Sequence, residues 1–339
     1  MAGTGATLAL TGDVMLGRLV DTAIKLRGFA YPWGNTLPLL HRADRLLINL
    51  ECALTAHTEP WRGDPYKPFF FRADPAAVAT LSLARVSFAS LANNHSLDFD
   101  VPGMLETIAV LDRAGITHAG AGRTLAEARA PAWLTADGLR IAVLAFADHP
   151  LAWAATPHSP GINYTPVSLD DDDFAPVAEA IAAVRAQADL VVFSIPWGPN
   201  MRARPAPHFR SFARRVIEAG VDVFWGHSAH VVQGIEFHQN KPILYDTGDF
   251  VDDYAVDPDL RNDLSALFLL RAAPRQVLEL ELVPVQIGEM QVNLAQGRER
   301  EWFLRRLGEL CAEFGTTLTP SGDGLSVRVV PAVTPEGAR

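Results

Sequence analysis

Six short apolar runs limit how this chain can fold. Residues 7–12 (TLALTG), 45–50 (RLLINL), 86–91 (VSFASL), 140–147 (RIAVLAFA), 189–195 (DLVVFSI) and 221–225 (VDVFW) are rich in Val, Leu, Ile and Phe. Each is bounded by polar residues or glycine, which predicts strands buried on both faces. Helical spacing fills the gaps, over 75–85, 102–114, 174–188 and 206–219. The first of these opens on Asp74-Pro75, a cap followed by a proline in the first turn. Strands alternating with helices predict an α/β layered sheet. After Gly226 the texture changes. Residues 231–237, 242–246, 264–271 and 276–286 read as strands joined by short turns such as His238–Lys241. They predict an antiparallel part over about 231–290 that packs on, or extends, the first sheet. A late amphipathic helix is expected over 296–314, with Trp302, Leu304, Leu307 and Leu310 near one face. No internal repeat occurs, so residues 1–330 are expected to form one domain, with 331–339 as a flexible tail.

Polar, ligand-type residues collect where these runs end. The first run leads into Gly12-Asp13 and on to Arg18, the second into Asn49-Leu50-Glu51, and the third into Asn93-Asn94-His95 and Asp98. The sixth opens onto Gly226-His227-Ser228-Ala229-His230. In open α/β sheets, sites form beyond the carboxyl ends of the strands. Taken singly, Asp13 reads as a helix cap, Asn93 and Asn94 as turn residues, and the histidines as loop residues. Four such coincidences in chain order favour a site. Its O/N donor set suits Mn, Fe(II) or Zn. No G-x-S-x-G elbow is present and Cys52 has no base partner in sequence, which disfavours a Ser or Cys nucleophile. Gly120-Ala121-Gly122 lacks both nucleotide fingerprints and reads as a tight turn. Asp170–Asp173 reads as a solvated loop or a helix N-terminus. Trp61–Phe71 (WRGDPYKPFFF) reads equally as a lid or as a core plug.

Composition excludes several classes. The 339 residues carry 29 basic and 39 acidic side chains, a net charge of −10, with no Lys/Arg cluster. That disfavours nucleic-acid binding, which depends on neutralising phosphates. The three lysines, Lys25, Lys67 and Lys241, read as base-composition bias. Cys52 and Cys311 are far apart, so neither a disulfide framework nor a thiolate metal site is expected. The N-terminus lacks the features of a signal peptide, and no apolar run is long enough to span a bilayer. A cytoplasmic protein is the expectation.

The segments GDVMLGR (12–18), NLECALT (49–55), LANNHSLDFD (91–100), HAGAGRTLAEA (118–128), WGPNMR (197–202) and GHSAHVVQGIEFHQNKPILYDTGDFVDDY (226–254) are similar to the bacterial poly-gamma-glutamate capsule-biosynthesis family, the CapA family. The resemblance covers roughly residues 7–320. It implies a calcineurin-like metallophosphatase fold, a four-layer α/β sandwich of two mixed sheets flanked by helices. It implies a role in poly-gamma-glutamate or capsule-polymer metabolism, with one or two divalent ions (Mn, Fe or Zn) and an anionic substrate or polymer as partner. Carried over residue by residue, the metal ligands are Asp13, Glu51, Asn94 and His230. His227 substitutes in the closing motif, and Asp249 adds a carboxylate. His95 would protonate a leaving group and Asp98 would orient it. Arg18 and Arg202 are the candidates for holding an anionic substrate.

The departures weaken one metal position. The family usually reads His-Trp-Gly where this chain has Pro196-Trp197-Gly198. Its closing His-Pro-His aligns with Ser228-Ala229-His230, and its Gly-Asn-Phe with Gly248-Asp249-Phe250. Met15 stands where many metallophosphatases carry histidine. Two readings follow: a metal-dependent hydrolase of a phosphoester or related bond, or a non-catalytic member that binds or helps assemble an anionic polymer.

Overall fold

The computed structural model describes residues 5–322 and 324–331. Parallel strands β1 (Ala6–Val14), β2 (Arg45–Leu50) and β3 (Val86–Ser90) begin a large sheet. A smaller sheet is built on parallel strands β4 (Leu139–Ala145), β5 (Leu190–Pro196), β6 (Val223–His227) and β7 (Lys241–Leu244). The chain then returns to the large sheet through β8 (Asp249–Val251), β9 (Leu264–Ala273) and β10 (Gln276–Gly288). β8 runs parallel to β1, and β9 and β10 add antiparallel pairs. The small sheet carries antiparallel edge strands, Ala132–Ala136 and Ile235–His238, so both sheets are mixed, as expected.

Strand alternation divides the core into two layers. Ile141, Val143, Val192, Val223 and Trp225 join the core that the small sheet shares with the large one. Ala142, Leu144, Val191, Phe193 and Phe224 face the opposite way. There they meet Phe174, Val177 and Ile181 of helix 171–185 and Phe212 and Val216 of helix 207–218. Helix 18–27 buries Val20 and Ile24, and helix 100–114 buries Met104, Val110 and Leu111, against the large sheet. The order is helix, sheet, sheet, helix. Trp225 is fully buried between the sheets and donates its indole N–H to the Thr11 carbonyl at 3.1 Å.

Several local expectations need correction. The segment 75–85 divides into a 3-10 turn, Pro75–Ala77, and a short helix, Val78–Leu83; Asp74 caps the turn by accepting from Ala76 N–H at 2.9 Å. Ala121–Gly122 is a short strand paired with Gly161–Ile162, with Gly120 at φ +97°, so a tight turn is not what those glycines make. The post-226 strands divide between sheets. Ile235–His238 edges the small sheet, whereas β9 and β10 extend the large one. Asp170 caps helix 171–185, accepting from Asp172 N–H at 2.9 Å, and Asp171–Asp173 occupy its first turn, where the helix dipole favours negative charge. The late helix spans Gly297–Ala312. Pro331 ends a strand paired with Thr316–Pro320, and the rest of the expected tail, 332–339, lies outside the described residues.

Trp225→Ala is expected to lower unfolding free energy by about 3–5 kcal/mol, the scale of emptying a buried aromatic site. Trp225→Phe is expected to lose less, because the Thr247 hydroxyl also serves the Thr11 carbonyl. Urea titrations of both variants check the order.

Candidate metal centre

The site grows from the register of β1. Asp13 lies opposite Asn49 of β2 on one side and Asp249 of β8 on the other. This requires close backbone approach at Gly12, where a Cβ would lie 2.2 Å from the Gly248 carbonyl oxygen. Glu51 follows β2, and His230 follows β6. One ligand atom each from Asp13, Glu51 and His230 lie within 4.8 Å of one another, close enough to share one divalent ion.

The surroundings are short of positive charge. Asp13, Glu51, Asp246, Asp249 and Asp252 are all buried. Among the described residues no lysine or arginine pairs with any of the five; the cationic candidates are His227 and His230. Burial, then the charge of Asp13, pushes Glu51 well above the usual carboxylate range. Burial, then Asp252 and Asp13, does the same to Asp249. Asp246 is pushed up to about 8 and Asp252 to about 6, in both cases chiefly by burial. Burial acts on Asp13 too, but His227, His230 and the Asn49 amide outweigh it and hold this carboxyl below its ordinary value.

Among the buried oxygens without a hydrogen-bond partner are Glu51 Oε1, Asn94 Oδ1 and Asp249 Oδ2. Unpartnered buried acceptors are costly, and a bound cation is one way to satisfy them. The two asparagines have separate tasks. Asn93 Nδ2 donates to Asn49 Oδ1 (3.1 Å) and to the Leu50 carbonyl (2.9 Å), and its Oδ1 accepts from His95 N–H at 3.0 Å. Asn49 in turn donates to Asp13 Oδ1 at 2.8 Å. Asn93 is scaffolding, and Asn94 keeps its side-chain carbonyl free.

His227, expected among the ligands, stands behind Asp13 instead. It is fully buried, with Nδ1 3.3 Å from Asp13 Oδ1 and 3.4 Å from Thr247 Oγ1, and Nε2 3.2 Å from Ser194 Oγ. With both nitrogens facing protein atoms it orients the carboxylate. His230 takes the forward position, with Nδ1 2.8 Å from Asp249 Oδ1 and 3.7 Å from Asp13 Oδ2. The loop reaches this shape through positive φ at Ser228 (+87°) and His230 (+60°), a strained conformation for residues with side chains. Ser228 N–H donates to Asp13 Oδ2 at 3.2 Å and Ala229 N–H to Asp246 Oδ2 at 2.8 Å, which pins it.

His95 and Asp98 are paired as the sequence suggested, with Nδ1 2.7 Å from Asp98 Oδ2. Phe71 stacks on the imidazole at 4.0 Å and donates its N–H to Asp98 Oδ2 at 2.6 Å. Burial lowers the His95 pKa despite Asp98. The cation behind this pair is Lys67, 3.0 Å from Asp98 Oδ1 and donating to the Asn94 carbonyl at 3.0 Å. Composition had dismissed it. Segment 61–71 is part packed and part exposed. Its ends are packed, with Trp61 edge-on to Trp153 at 5.3 Å and Phe71 buried, while Tyr66 and Phe69 are exposed. Tyr254, also unforeseen, donates to Glu51 Oε2 at 3.4 Å and meets His230 edge-on. The acids Asp246, Asp249, Asp252 and Asp253 before it are the sequence signal that could have found it.

The two arginines are placed differently. Arg18 spends its charge on Asp253, with Nε 3.1 Å from Oδ2 and a terminal nitrogen 3.0 Å from Oδ1, and lies over Phe71 at 5.3 Å. It props the rim. Arg202 lines a separate cavity, whose walls contain none of the expected metal ligands.

The family model described as bacterial capsule synthesis protein PGA_cap matches residues 7–254. A probable polyglutamine synthesis accessory protein of Mycobacterium tuberculosis is 32% identical over 96% of both chains. The capsule biosynthesis protein CapA of Bacillus anthracis is 28% identical over 84% of this chain and 68% of its own. The PGA biosynthesis protein CapA of Bacillus subtilis is 27% identical over 83% and 71%.

In chelator, Glu51→Gln is expected to raise the melting temperature by about 2 °C, because it removes one of five crowded buried carboxylates and keeps the shape. The same variant is expected to lose the upward shift that Mn or Zn gives the wild-type protein. Calorimetry with and without metal reads both, and a lower melting temperature in chelator overturns the charge argument.

Proposed function

The chain belongs to the bacterial capsule synthesis protein family PGA_cap, and from that premise we propose that it acts in capsule-polymer metabolism as a metal-dependent hydrolase of a phosphoester or related anionic linkage. One observation carries the reading: the Asp13–Glu51–His230 convergence, in which Glu51 Oε1 and the neighbouring Asp249 Oδ2 are buried without a partner. Asp13, Glu51 and His230 would hold the ion, with Asn94 and Asp249 supplying further oxygens. Mn, Fe and Zn all match this O/N donor set. A bound divalent ion supplies Lewis-acid stabilisation of charge that develops on the substrate.

The remaining work belongs to side chains of this chain. His95 is fixed by Asp98 on one nitrogen and by Phe71 on its face, leaving Nε2 to hold or hand over a proton. Lys67 pairs with Asp98 and anchors the loop at the Asn94 backbone carbonyl. His227, Asn49 and the Ser228 N–H keep Asp13 in one orientation. Among the described residues no helix is long and apolar enough to cross a membrane.

A second reading, a non-catalytic polymer-binding member, is favoured by Pro196. This residue lies opposite His227 in the ladder and, by alternation with Val192 and Ser194, on the strand face directed at the large sheet. It offers no ligand atom from the position where the family usually places a histidine.

Elemental analysis after metal loading is expected to find at least one ion per chain in the wild type and none in Asp13→Ala. Equal occupancy in both overturns the ligand assignment. Pro196→His is expected to increase the number of ions bound per chain. An unchanged number in a folded variant means that position 196 does not contribute to a second site.

A further inference from the structure

A second histidine–carboxylate pair stands just past the end of β4. Asp148 Oδ2 accepts from the Gly198 N–H at 2.8 Å, and its Oδ1 meets His149 Nδ1. Both carboxylate oxygens are thus taken up by this chain. His149 is 35% exposed, and its Nε2 has no partner among the described residues. Backbone bonds continue the parallel ladder beyond β4, from Phe146 N–H to the Ser194 carbonyl (2.9 Å) and from Asp148 N–H to the Pro196 carbonyl (3.3 Å). Ala145 and Ala147 join the core between the sheets, and Phe146 joins the opposite layer. Alternation therefore places His149 on the face directed at the large sheet, where Pro196 on the adjoining strand offers no donor. Facing it is the loop of Asn94 and His95. A Cβ at Gly120 would lie 2.5 Å from the Ala92 Cβ and 3.0 Å from the Ala145 Cβ, so the ends of β3 and β4 approach one another closely. Lys67 completes the connection. It reaches Asp98 and the Asn94 carbonyl, and its ammonium lies 5.0 Å from the ring centre of Trp153 in the loop that His149 begins. The pair repeats the construction of His95–Asp98: each histidine turns Nδ1 to a carboxylate that a backbone N–H also holds.

We propose that His149 contacts the substrate of this crevice through Nε2, and that Asp148 positions it. With Nδ1 donating to Asp148, a proton on Nε2 makes the ring a cation with a carboxylate behind it and one free N–H. Such a donor suits an oxygen of a phosphoryl group, by a charge-assisted hydrogen bond. The other cations nearby are already committed, Arg18 to Asp253 and Lys67 to Asp98. An anionic substrate therefore meets one histidine on each wall, His95 on the large-sheet side and His149 on the small-sheet side. The inference rests on the metal-centre reading of the same crevice and narrows its ligand: a group with at least two anionic oxygens, one for the ion and one for His149. A neutral amide or ester carbonyl has only one oxygen to share between them.

The test is calorimetric titration of manganese-loaded protein with inorganic phosphate, with manganese occupancy measured on every preparation. His149→Gln is expected to keep its manganese and to bind phosphate about tenfold or more weakly than the wild type, the scale of a lost charge-assisted hydrogen bond. His149→Arg, which keeps a cationic donor, is expected to stay within about threefold of the wild type. His158→Gln, which removes an exposed histidine of the same loop, is expected to leave the affinity unchanged. Absence of phosphate binding, unchanged affinity in His149→Gln, an equal loss in His158→Gln, or a loss in His149→Arg as large as in His149→Gln each overturns the contact, and the metal centre stands as long as manganese is retained. A wild type that takes up no manganese overturns the metal-centre reading instead. The same comparison without metal then decides the contact, and absence of phosphate binding there overturns it as well.

Discussion

The structure depends on how Asp13 is held. A carboxylate at the end of a central strand, buried between two sheets, loses its hydration and needs replacement donors. Here those donors come from distant parts of the chain: Asn49 from β2, His227 from the end of β6, and the Ser228 N–H from the loop beyond it. The Asp13 N–H meanwhile donates to the Gly248 carbonyl at 2.8 Å. One side chain thus ties the start of the large sheet to the end of the small one, and places Glu51, His230 and Asp249 around a common point. Four further acids crowd the same interior, so the arrangement is electrostatically incomplete by itself. That incompleteness is the physical basis for assigning it to a cation.

Around this centre, each half of the site has its own support. On one side His227 and Asp246 brace the closing loop, and its two left-handed residues are held by backbone N–H groups that reach carboxylates. On the other side Lys67 and Phe71, both from the 61–71 segment, hold Asp98 and through it His95. A segment with exposed aromatics at its tip and buried contacts at its ends couples rim to interior. Arg18, paired with Asp253 and lying over Phe71, continues the same construction outward.

The layered fold was legible because apolar runs such as LLINL and LVVFSI are too short for helices and too continuous for exposed strands. Helix 18–27 was not foreseen, since it buries only Val20, Ala23 and Ile24 and alternates apolar with charged residues over a short span. The division of the later strands between two sheets was also beyond reach, because alternation tells which residues are buried but not which neighbour buries them. The family motifs brought Asp13, Glu51, Asn94 and His230 into view. They brought His227 as well, but one-dimensional spacing does not tell a histidine that faces the cavity from one that faces back.

By itself, then, the chain's order of residues determined the alternation of strands and helices and the strand ends at which polar ligands gather. These are local consequences of hydrophobic period and of polar residues placed where a buried strand must stop. Tertiary structure alone decided which nitrogen meets which carboxylate, that Lys67 serves Asp98, that Arg18 is spent on Asp253, and that Arg202 lines a separate cavity. Those outcomes depend on distances between residues up to 235 positions apart, and on burial, which sets the strength of every charge involved. Neither quantity is written in local sequence.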